Sequence, residues 1–289
     1  MEFLGILQAV ILGLIEGITE WLPVSSTGHM VLFNHFYPSK FSPEFSDMFE
    51  YVIQLAAIFA VIVTFWNKLF PFRLQKESRG NAKPKTKLTA NVGILQLWLK
   101  VIIASVPALL ALVIDKVFED LSPLYESLII AGALILYGAV FILVETFNKK
   151  DAKIQEVSEI SYKYAFFIGC FQVLAAIPGT SRSGITIIGA LLLGVSRVAA
   201  TEFTFYLAIP AMVGASGYKL LKFFIEQGSM TAPEVGYLLI GSVIAFGVSL
   251  FAIKLLTGFV KKHNFKPFGW YRIALGIIVM CALIVPTFF

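Results

Sequence analysis

The sequence predicts an all-α polytopic membrane protein, and three observations support this fold class. Of the 289 residues, 58% are hydrophobic and only 14% are charged, whereas soluble domains carry about 25% charged residues. The apolar residues form blocks, separated by polar loops, that are long enough to cross a bilayer. Segment 128–143 is apolar on every face, which excludes the alternation of a β-barrel. A soluble globular enzyme and a disordered chain are excluded by the same composition.

Six segments are predicted to span the membrane, and two shorter apolar regions are not. The predicted spans are 50–67, 97–115, 124–146, 202–219, 235–257 and 271–288. Polar turns at 23–29 and 178–184 interrupt the two shorter regions, which begin at Phe3 and Tyr164. Pieces of about 10–14 apolar residues favour re-entrant helices. Two re-entrant helix pairs are therefore expected, with polar turns buried in protein or facing a wet cavity near the midplane.

The two interrupted regions resemble each other, which predicts an internal repeat. Pro23 aligns with Pro178, and Gly13 aligns with Gly169 if one gap is allowed. Farther along, Ala57–Ala60 aligns with Ala208–Ala211. The chain is thus expected to be one membrane domain, residues 1–289. Its predicted parts are repeat one, about 1–115, repeat two, about 160–257, and a last helix, about 271–288.

The basic residues predict the orientation of the chain in the membrane. Loops 67–96, 147–163, 194–200 and 258–270 carry 15 Lys and Arg residues, whereas loops 38–48, 115–123 and 219–234 carry 4. Since cytoplasmic loops are rich in Lys and Arg, the first set is expected inside. This threading requires two repeats of inverted topology. The net charge of +5 is explained by topology, so nucleic-acid binding is not expected.

Glu16 and Glu20 are the first candidate site residues. Their spacing places both carboxylates on one face of a helix. Two buried carboxylates repel each other unless a divalent cation or a shared proton lies between them. Mg²⁺ takes one or two protein carboxylates and completes its shell with water and phosphate oxygens. The alternative is a pair of acids solvated at a helix end.

Ser26, Thr27 and His29 follow these acids directly. A hydroxyl becomes a nucleophile when a base lies beside it, and Ser26 and His29 are three residues apart. His29 could instead be the nucleophile or the general acid. The structural alternative is that the Ser and Thr side chains cap a helix that starts near Thr27. Both roles are compatible.

The second turn, 178–184, carries one arginine between two serines. The Arg182 guanidinium offers a planar fork of donors that matches phosphate oxygens. Ser181, Ser183 and Thr186 add hydroxyls, and amides at the start of a following helix favour an anion. Thr27, in the first turn, is expected to bind the substrate phosphate as well. The alternative is that Arg182 pairs with Glu16 or Glu20 only to support the structure. Gln54 and Glu202 occupy corresponding places in the two repeats. They are expected to contact the site residues and hold them in position without binding the substrate themselves.

These residues resemble the signatures of a known family. Segments 16–29 (EGITEWLPVSSTGH) and 178–186 (PGTSRSGIT) are similar to the two signatures of the bacterial undecaprenyl-diphosphate phosphatases of the bacitracin-resistance type. The resemblance extends over nearly the whole chain. It implies that the family's functional positions fall on the following residues: Glu16, Glu20, Ser26, His29, Ser181, Arg182 and Thr186.

The resemblance implies an integral membrane hydrolase that converts a C55 polyprenyl diphosphate to undecaprenyl phosphate and phosphate, for cell-wall assembly. It implies a divalent cation, Mg²⁺ or Ca²⁺, and bacitracin resistance at raised levels. The expected location is the bacterial inner membrane, with the site open to the outer side. The alternative is a transporter or flippase of an anionic polyprenyl lipid, because inverted repeats with broken helices also build transporters. The choice of Ser26, His29 or water as nucleophile stays open, as does a homodimer.

Overall fold

A computed structural model describes residues 1–77, 85–118, 121–147 and 152–284. Within these ranges, six helices are long and apolar enough to cross a membrane, as the sequence predicts. They are α3 (Pro43–Thr64), α5 (Val92–Ser105) with the 3₁₀ turn Pro107–Leu110, α7 (Pro123–Phe147), α10 (Arg197–Gln227), α11 (Ala232–Phe259) and α12 (Lys266–Val279), which continues into the π turn Met280–Ile284. The end of the last predicted span, 285–288, lies outside the described residues.

Several spans are longer than predicted because their helices continue into polar sequence. Predicted span 50–67 begins at Pro43, one residue after Ser42, whose side chain caps α3. Predicted span 202–219 is the middle of α10, which runs over 31 residues. A hydropathy pattern marks only the apolar part of a helix, whereas the backbone hydrogen bonds run on to the next capping residue.

The two interrupted regions form short helices that end at the predicted turns. The helices are α1 (Phe3–Thr19), α2 (Ser26–Phe36), α8 (Tyr162–Gln172), which runs into the 3₁₀ turn Val173–Ala176, and α9 (Arg182–Leu192). Ser25 is the N-cap of α2, and Ser181 is the N-cap of α9. Both breaks are therefore followed by a serine-capped helix start.

The basic loop 67–96 contains elements that the sequence did not predict. These are the short helix α4 (Trp66–Leu69) and the antiparallel strands β1 (Phe72–Glu77) and β2 (Lys85–Ala90), with Phe72 opposite Ala90. The centre of this loop, 78–84, lies outside the described residues. Residues 119–120 of loop 115–123 and residues 148–151 of loop 147–163 also lie outside the described residues. The remaining short elements are α6 (Ala111–Phe118) and the 3₁₀ turn Val157–Glu159.

The helix contacts follow a paired pattern. Helix α1 packs on α11, and α8 packs on α5, so each interrupted region leans on a distant helix. Between them, α3 packs on both α10 and α11, and α10 also packs on α5. Helices α7 and α12 pair with each other, and α7 touches both α2 and α9. The α7–α12 pair thus borders the helices that follow both turns.

Glycines allow the backbones of neighbouring helices to pack closely at two of these contacts. A Cβ added at Gly13 would lie 2.6 Å from the Gly241 carbonyl oxygen of α11. A Cβ at Gly169 would collide with the Ala104 carbonyl oxygen of α5. Backbone cannot move aside as a flexible side chain can. The sequence therefore needs glycine at both positions to let α1 and α8 reach their partners.

Candidate active site

The two predicted acids lie buried at the end of α1. Glu16 is 0% exposed, and neither of its carboxylate oxygens has a hydrogen-bond partner among the described residues. Glu20 follows the last residue of α1, and its N–H donates to Glu16 O at 3.1 Å. An unpaired buried carboxylate costs free energy. Glu16 is therefore poised to receive a cation or a proton.

Ser25 shapes the turn between these acids and α2. Its φ is 75°, and among the described residues no other residue except glycine has a positive φ. This backbone conformation costs about 1–3 kcal/mol. Its side chain accepts a hydrogen bond from Gly28 N and so caps α2. The chain reversal brings Ser26 back to the acids, where its Oγ donates to Glu20 Oε2 at 3.2 Å. Backbone strain at this turn thus places a hydroxyl against a carboxylate.

Both ring nitrogens of His29 bind groups other than Ser26, contrary to the pairing that the sequence spacing favours. Its Nδ1 lies 2.7 Å from Ser25 O and must donate to that carbonyl. In the neutral ring, Nε2 is then the acceptor, and Tyr271 Oη donates to it at 2.7 Å. The two rings stack with centroids 5.6 Å apart. Both ring nitrogens are thus occupied, and the carboxylate that the Ser26 hydroxyl contacts is that of Glu20.

The second turn meets the first through a serine. Ser181 Oγ accepts from Gly184 N at 3.1 Å and lies 3.0 Å from Ser183 Oγ. Ser183 Oγ donates to Glu20 O at 3.0 Å, which ties the start of α9 to the end of α1. Gly179, at φ 82°, lies against the backbone of Ile130, so this turn also rests on α7. These contacts join the two turns to each other and to α7.

Arg182 is the first residue of α9 and is oriented towards the acids. Its Nη2 lies 4.0 Å from Glu20 Oε1, so the two charges attract each other without a close hydrogen bond between these atoms. Its Nη1 is buried without a hydrogen-bond partner in the described part of the chain. The side chain is 22% exposed. The guanidinium therefore keeps donors available for an anion while it stays close to Glu20.

The structure gives different surroundings to two predicted phosphate ligands, Thr186 and Thr27. Thr186 is buried, and its hydroxyl donates to Arg182 O at 2.8 Å while it accepts from Thr204 Oγ1 at 3.0 Å. Its proton is thus used within α9, as is common for Thr in a helix, and Thr186 offers no donor to a phosphate here. Thr27 is exposed on α2.

The expected supporting pair divides between two places. Glu202 accepts a hydrogen bond from Tyr206 Oη and pairs with Lys68 of α4 at 2.8 Å. These contacts lie beside α4 and α5 rather than at the two turns, because Glu202 is only one turn from the start of α10. Gln54 is half-buried on α3, and its Oε1 has no partner among the described residues. Gln54 and Glu202 occupy corresponding positions in the sequence, but their side chains do not make corresponding contacts.

Two residues of α12 at the site were not predicted from the sequence. Tyr271 bonds His29, and Arg272 is 0% exposed and donates through Nη2 to Gly179 O at 3.1 Å. One signal could have found Arg272, namely an arginine inside the predicted span 271–288, since ionisable groups within spans are usually functional. Because Arg272 is the second residue of that span, it resembles an ordinary polar residue at the membrane surface, and the sequence pattern does not identify it.

No group of three or more His, Cys, Asp or Glu side chains suited to a metal is found in the ranges that the structure describes. The protein itself therefore offers the two carboxylates of Glu16 and Glu20. This donor set is small, yet it matches Mg²⁺, which keeps several waters and binds substrate phosphates as further ligands.

Comparison with known proteins gives a consistent result. A family model described as bacitracin resistance protein BacA matches residues 9–278. The chain is 51% identical over 282 residues to an undecaprenyl-diphosphatase of Enterococcus faecalis, covering 97% of this chain and 98% of the relative. Undecaprenyl-diphosphatases of Lachnoclostridium phytofermentans and Streptococcus equi subsp. equi are 49% and 47% identical. These alignments cover 96% and 100% of this chain and 97% and 100% of the relatives.

Proposed function

Since the chain belongs to the BacA family of bacitracin resistance proteins, we propose that it hydrolyses undecaprenyl diphosphate. The products are undecaprenyl phosphate and inorganic phosphate, which returns the lipid carrier to cell-wall synthesis. Relatives about half identical to this chain over nearly their full length carry the name of that activity. The chain is accordingly a multi-pass membrane phosphatase. These names do not favour a transporter or flippase.

One observation carries the proposal, namely the convergence of three groups on Glu20. Ser26 Oγ donates to its carboxylate at 3.2 Å, Arg182 Nη2 lies 4.0 Å away, and Ser183 binds its carbonyl. A hydroxyl, a proton acceptor and a guanidinium are what transfer of a phosphoryl group requires. A lipid transporter has no need of a hydroxyl against a buried acid.

In the first step, Ser26 Oγ attacks the terminal phosphorus. The bond from this phosphorus to the bridging oxygen breaks, undecaprenyl phosphate leaves, and Glu20 takes the Ser26 proton. Water then attacks the phosphoserine, releases phosphate and restores the hydroxyl. Direct attack by water, oriented by the same residues, is the alternative route.

Arg182 and the start of α9 stabilise the charge on the phosphoryl group. The free Nη1 of Arg182 lies where the amides of α9 begin. The hydroxyls of Ser181 and Ser183 bind each other and Glu20 O, so they fix the start of this helix in place. Donors fixed in advance, in a site with little water, stabilise a transition state better than mobile ones. His29, fixed by Tyr271, is assigned to proton transfer with the leaving group or the water.

Glu16 and Glu20 would hold a divalent cation, Mg²⁺ or Ca²⁺. The two unpaired buried oxygens of Glu16 support this assignment, because a carboxylate left without donors needs a positive partner. A bound cation neutralises phosphate charge and orients the diphosphate.

We also propose that the fold is an inverted repeat with two re-entrant helix pairs. The paired pattern supports this, since α1 packs on α11 as α8 packs on α5. The aligned residues Gly13 and Gly169 each occupy the close crossing of their pair. The Lys- and Arg-rich loops would face the cytoplasm, and the site would open to the outer side.

Phosphate release by the detergent-purified protein tests the proposed activity. We expect release from a C55 diphosphate that stops in excess chelator and returns when Mg²⁺ or Ca²⁺ is added. The matched control is Arg182→Ala, purified in parallel to measure contaminating phosphatase. Release no faster than that of this control would overturn the proposal, and full activity in chelator would overturn the cation's role.

A further inference from the structure

Arg272 is a buried cation without a described anionic partner. The side chain is 0% exposed, and its one hydrogen bond within the described ranges joins Nη2 to Gly179 O. Both Nε and Nη1 are buried without a partner. No described Asp or Glu side chain forms an ion pair with Arg272. An arrangement of this kind costs stability, so it calls for an explanation.

The helix crossing beneath Arg272 fixes its position. Helices α7 and α12 meet at Gly138 and Gly269, where a Cβ on either glycine would lie 2.7 Å from the other's carbonyl oxygen. A Cβ on Gly138 would also lie 3.2 Å from the Arg272 Cβ. The backbone of α12 is therefore packed tightly against α7. This packing fixes the backbone position from which the Arg272 side chain extends to the second turn.

The residue that Arg272 binds belongs to the phosphate-binding turn. Gly179 is in the left-handed conformation and comes two residues before Ser181, the N-cap of α9. A hydrogen bond to its carbonyl holds the turn from behind. Through this bond the positive charge lies at the turn that leads into α9, where Arg182 and the α9 amides would receive an anion. In a medium of low dielectric constant, such a charge acts over several ångströms.

We propose that Arg272 is a positioning residue for the phosphate-binding turn, and that its unbalanced charge selects the diphosphate headgroup over the monophosphate. The inference rests on the proposed function, which it deepens. A diphosphate ester carries more negative charge than a phosphate ester, so the attraction to a fixed cation is larger for substrate than for product. Arg272 would thus favour binding of the substrate and release of the lipid product.

Stability and binding together distinguish this role from a structural one. Arg272→Met keeps the apolar stem and removes the charge. We expect its melting temperature without ligand to equal or exceed that of the wild type, because an unpaired buried charge is removed. The matched control is Arg197→Met, whose guanidinium pairs at 2.6 Å with Glu145, a side chain only 3% exposed. That variant should melt lower, because it leaves a buried carboxylate without its cation.

Ligand responses complete the test. Inorganic pyrophosphate should raise the melting temperature of the wild type and of Arg197→Met, but not that of Arg272→Met. The KM for the C55 diphosphate should rise about tenfold or more in Arg272→Met. Inhibition by undecaprenyl phosphate should weaken less than substrate binding does.

Two conservative variants decide the case even if Arg272→Met does not fold. Arg272→Lys keeps the charge, whereas Arg272→Gln keeps a donor for Gly179 O without charge. We expect Lys to restore KM better than Gln does. Equal rescue by both, an unchanged KM, or a wild type indifferent to pyrophosphate would overturn the inference. Failure of the wild type to release phosphate would overturn the proposed function instead, since the melting shift with pyrophosphate requires no turnover.

Discussion

Around Glu20, single atoms decide which chemistry is available. The Ser26 hydroxyl and the Arg182 guanidinium come from the two different interrupted regions and meet at one carboxylate. Ser26 forms this contact because the strained Ser25 turn directs it back to α1. The Ser26 hydroxyl donates to Glu20, whereas His29 binds Tyr271, and we therefore propose Glu20 as the acceptor of the Ser26 proton. Two substitutions test these assignments.

Arg182→Lys keeps the positive charge but loses the planar fork of donors. We expect kcat to fall by about a hundredfold or more, roughly 3 kcal/mol in the barrier. Steady-state phosphate release measures this loss, and the melting temperature of the variant controls for folding. A lysine variant within a few-fold of the wild type would reduce Arg182 to a general positive charge.

Ser26→Ala removes the attacking hydroxyl and leaves Glu16, Glu20 and Arg182 in place. If Ser26 is the nucleophile, turnover should fall more than about a thousandfold, ~4 kcal/mol. A hydroxyl that only donates a hydrogen bond would cost about 1–2 kcal/mol, roughly ten- to thirtyfold. Ser105→Ala is the matched control, because that hydroxyl only donates to Val101 O within α5.

Acid quenching during turnover of a substrate labelled in its terminal phosphate identifies the phosphorylated residue. Acid-stable label on Ser26 is the expected result. Acid-labile label on His29 would contradict it, and rapid turnover without any label would favour direct attack by water.

Among the elements, the helices were easier to predict from sequence than their contacts. Runs of apolar residues reveal α3, α7 and α11, and polar residues around Pro23 and Pro178 reveal the two breaks. Composition alone does not show that β1 and β2 form within the basic loop, where local pairing competes with solvation. Nor does it show the pairing of His29 with Tyr271, since this contact joins residues 242 positions apart.

The close packing of α1 on α11 depends on glycine. A Cβ on Gly13 would meet the Gly241 carbonyl oxygen at 2.6 Å, whereas a Cβ on Gly247, on α11, meets nothing within 4 Å. Overpacking costs about 1–3 kcal/mol, so Gly13→Ala should lower the melting temperature by several degrees. Gly247→Ala should leave it unchanged or raise it, because alanine favours the helix.

The same comparison can be made in the other interrupted region. Gly169→Ala faces the Ala104 backbone and should behave like Gly13→Ala. Thermal unfolding in detergent measures all three variants. Similar melting temperatures for Gly13→Ala and Gly247→Ala would show that α1 and α11 are not held at the distance the structure gives.

At the scale of the whole molecule, the orientation in the membrane is the open prediction. In a background of Cys170→Ala and Cys281→Ala, single cysteines at Ala90 and Ser229 report the two faces; both positions are exposed. A membrane-impermeant maleimide should label Ser229→Cys in intact cells and Ala90→Cys only after permeabilisation. The reverse labelling would turn the site towards the cytoplasm.

The contact of α12 with both turns has a consequence for how the protein is made. A ribosome that has synthesised both turns has not yet produced Tyr271 and Arg272, which belong to the last long helix. At about 5–20 residues per second, several seconds pass before α12 can insert beside α7. During this interval, a nascent chain holds Ser26 and Arg182 without the groups that fix His29 and Gly179. Translation stalled before α12 would therefore leave an anchored chain without a complete site.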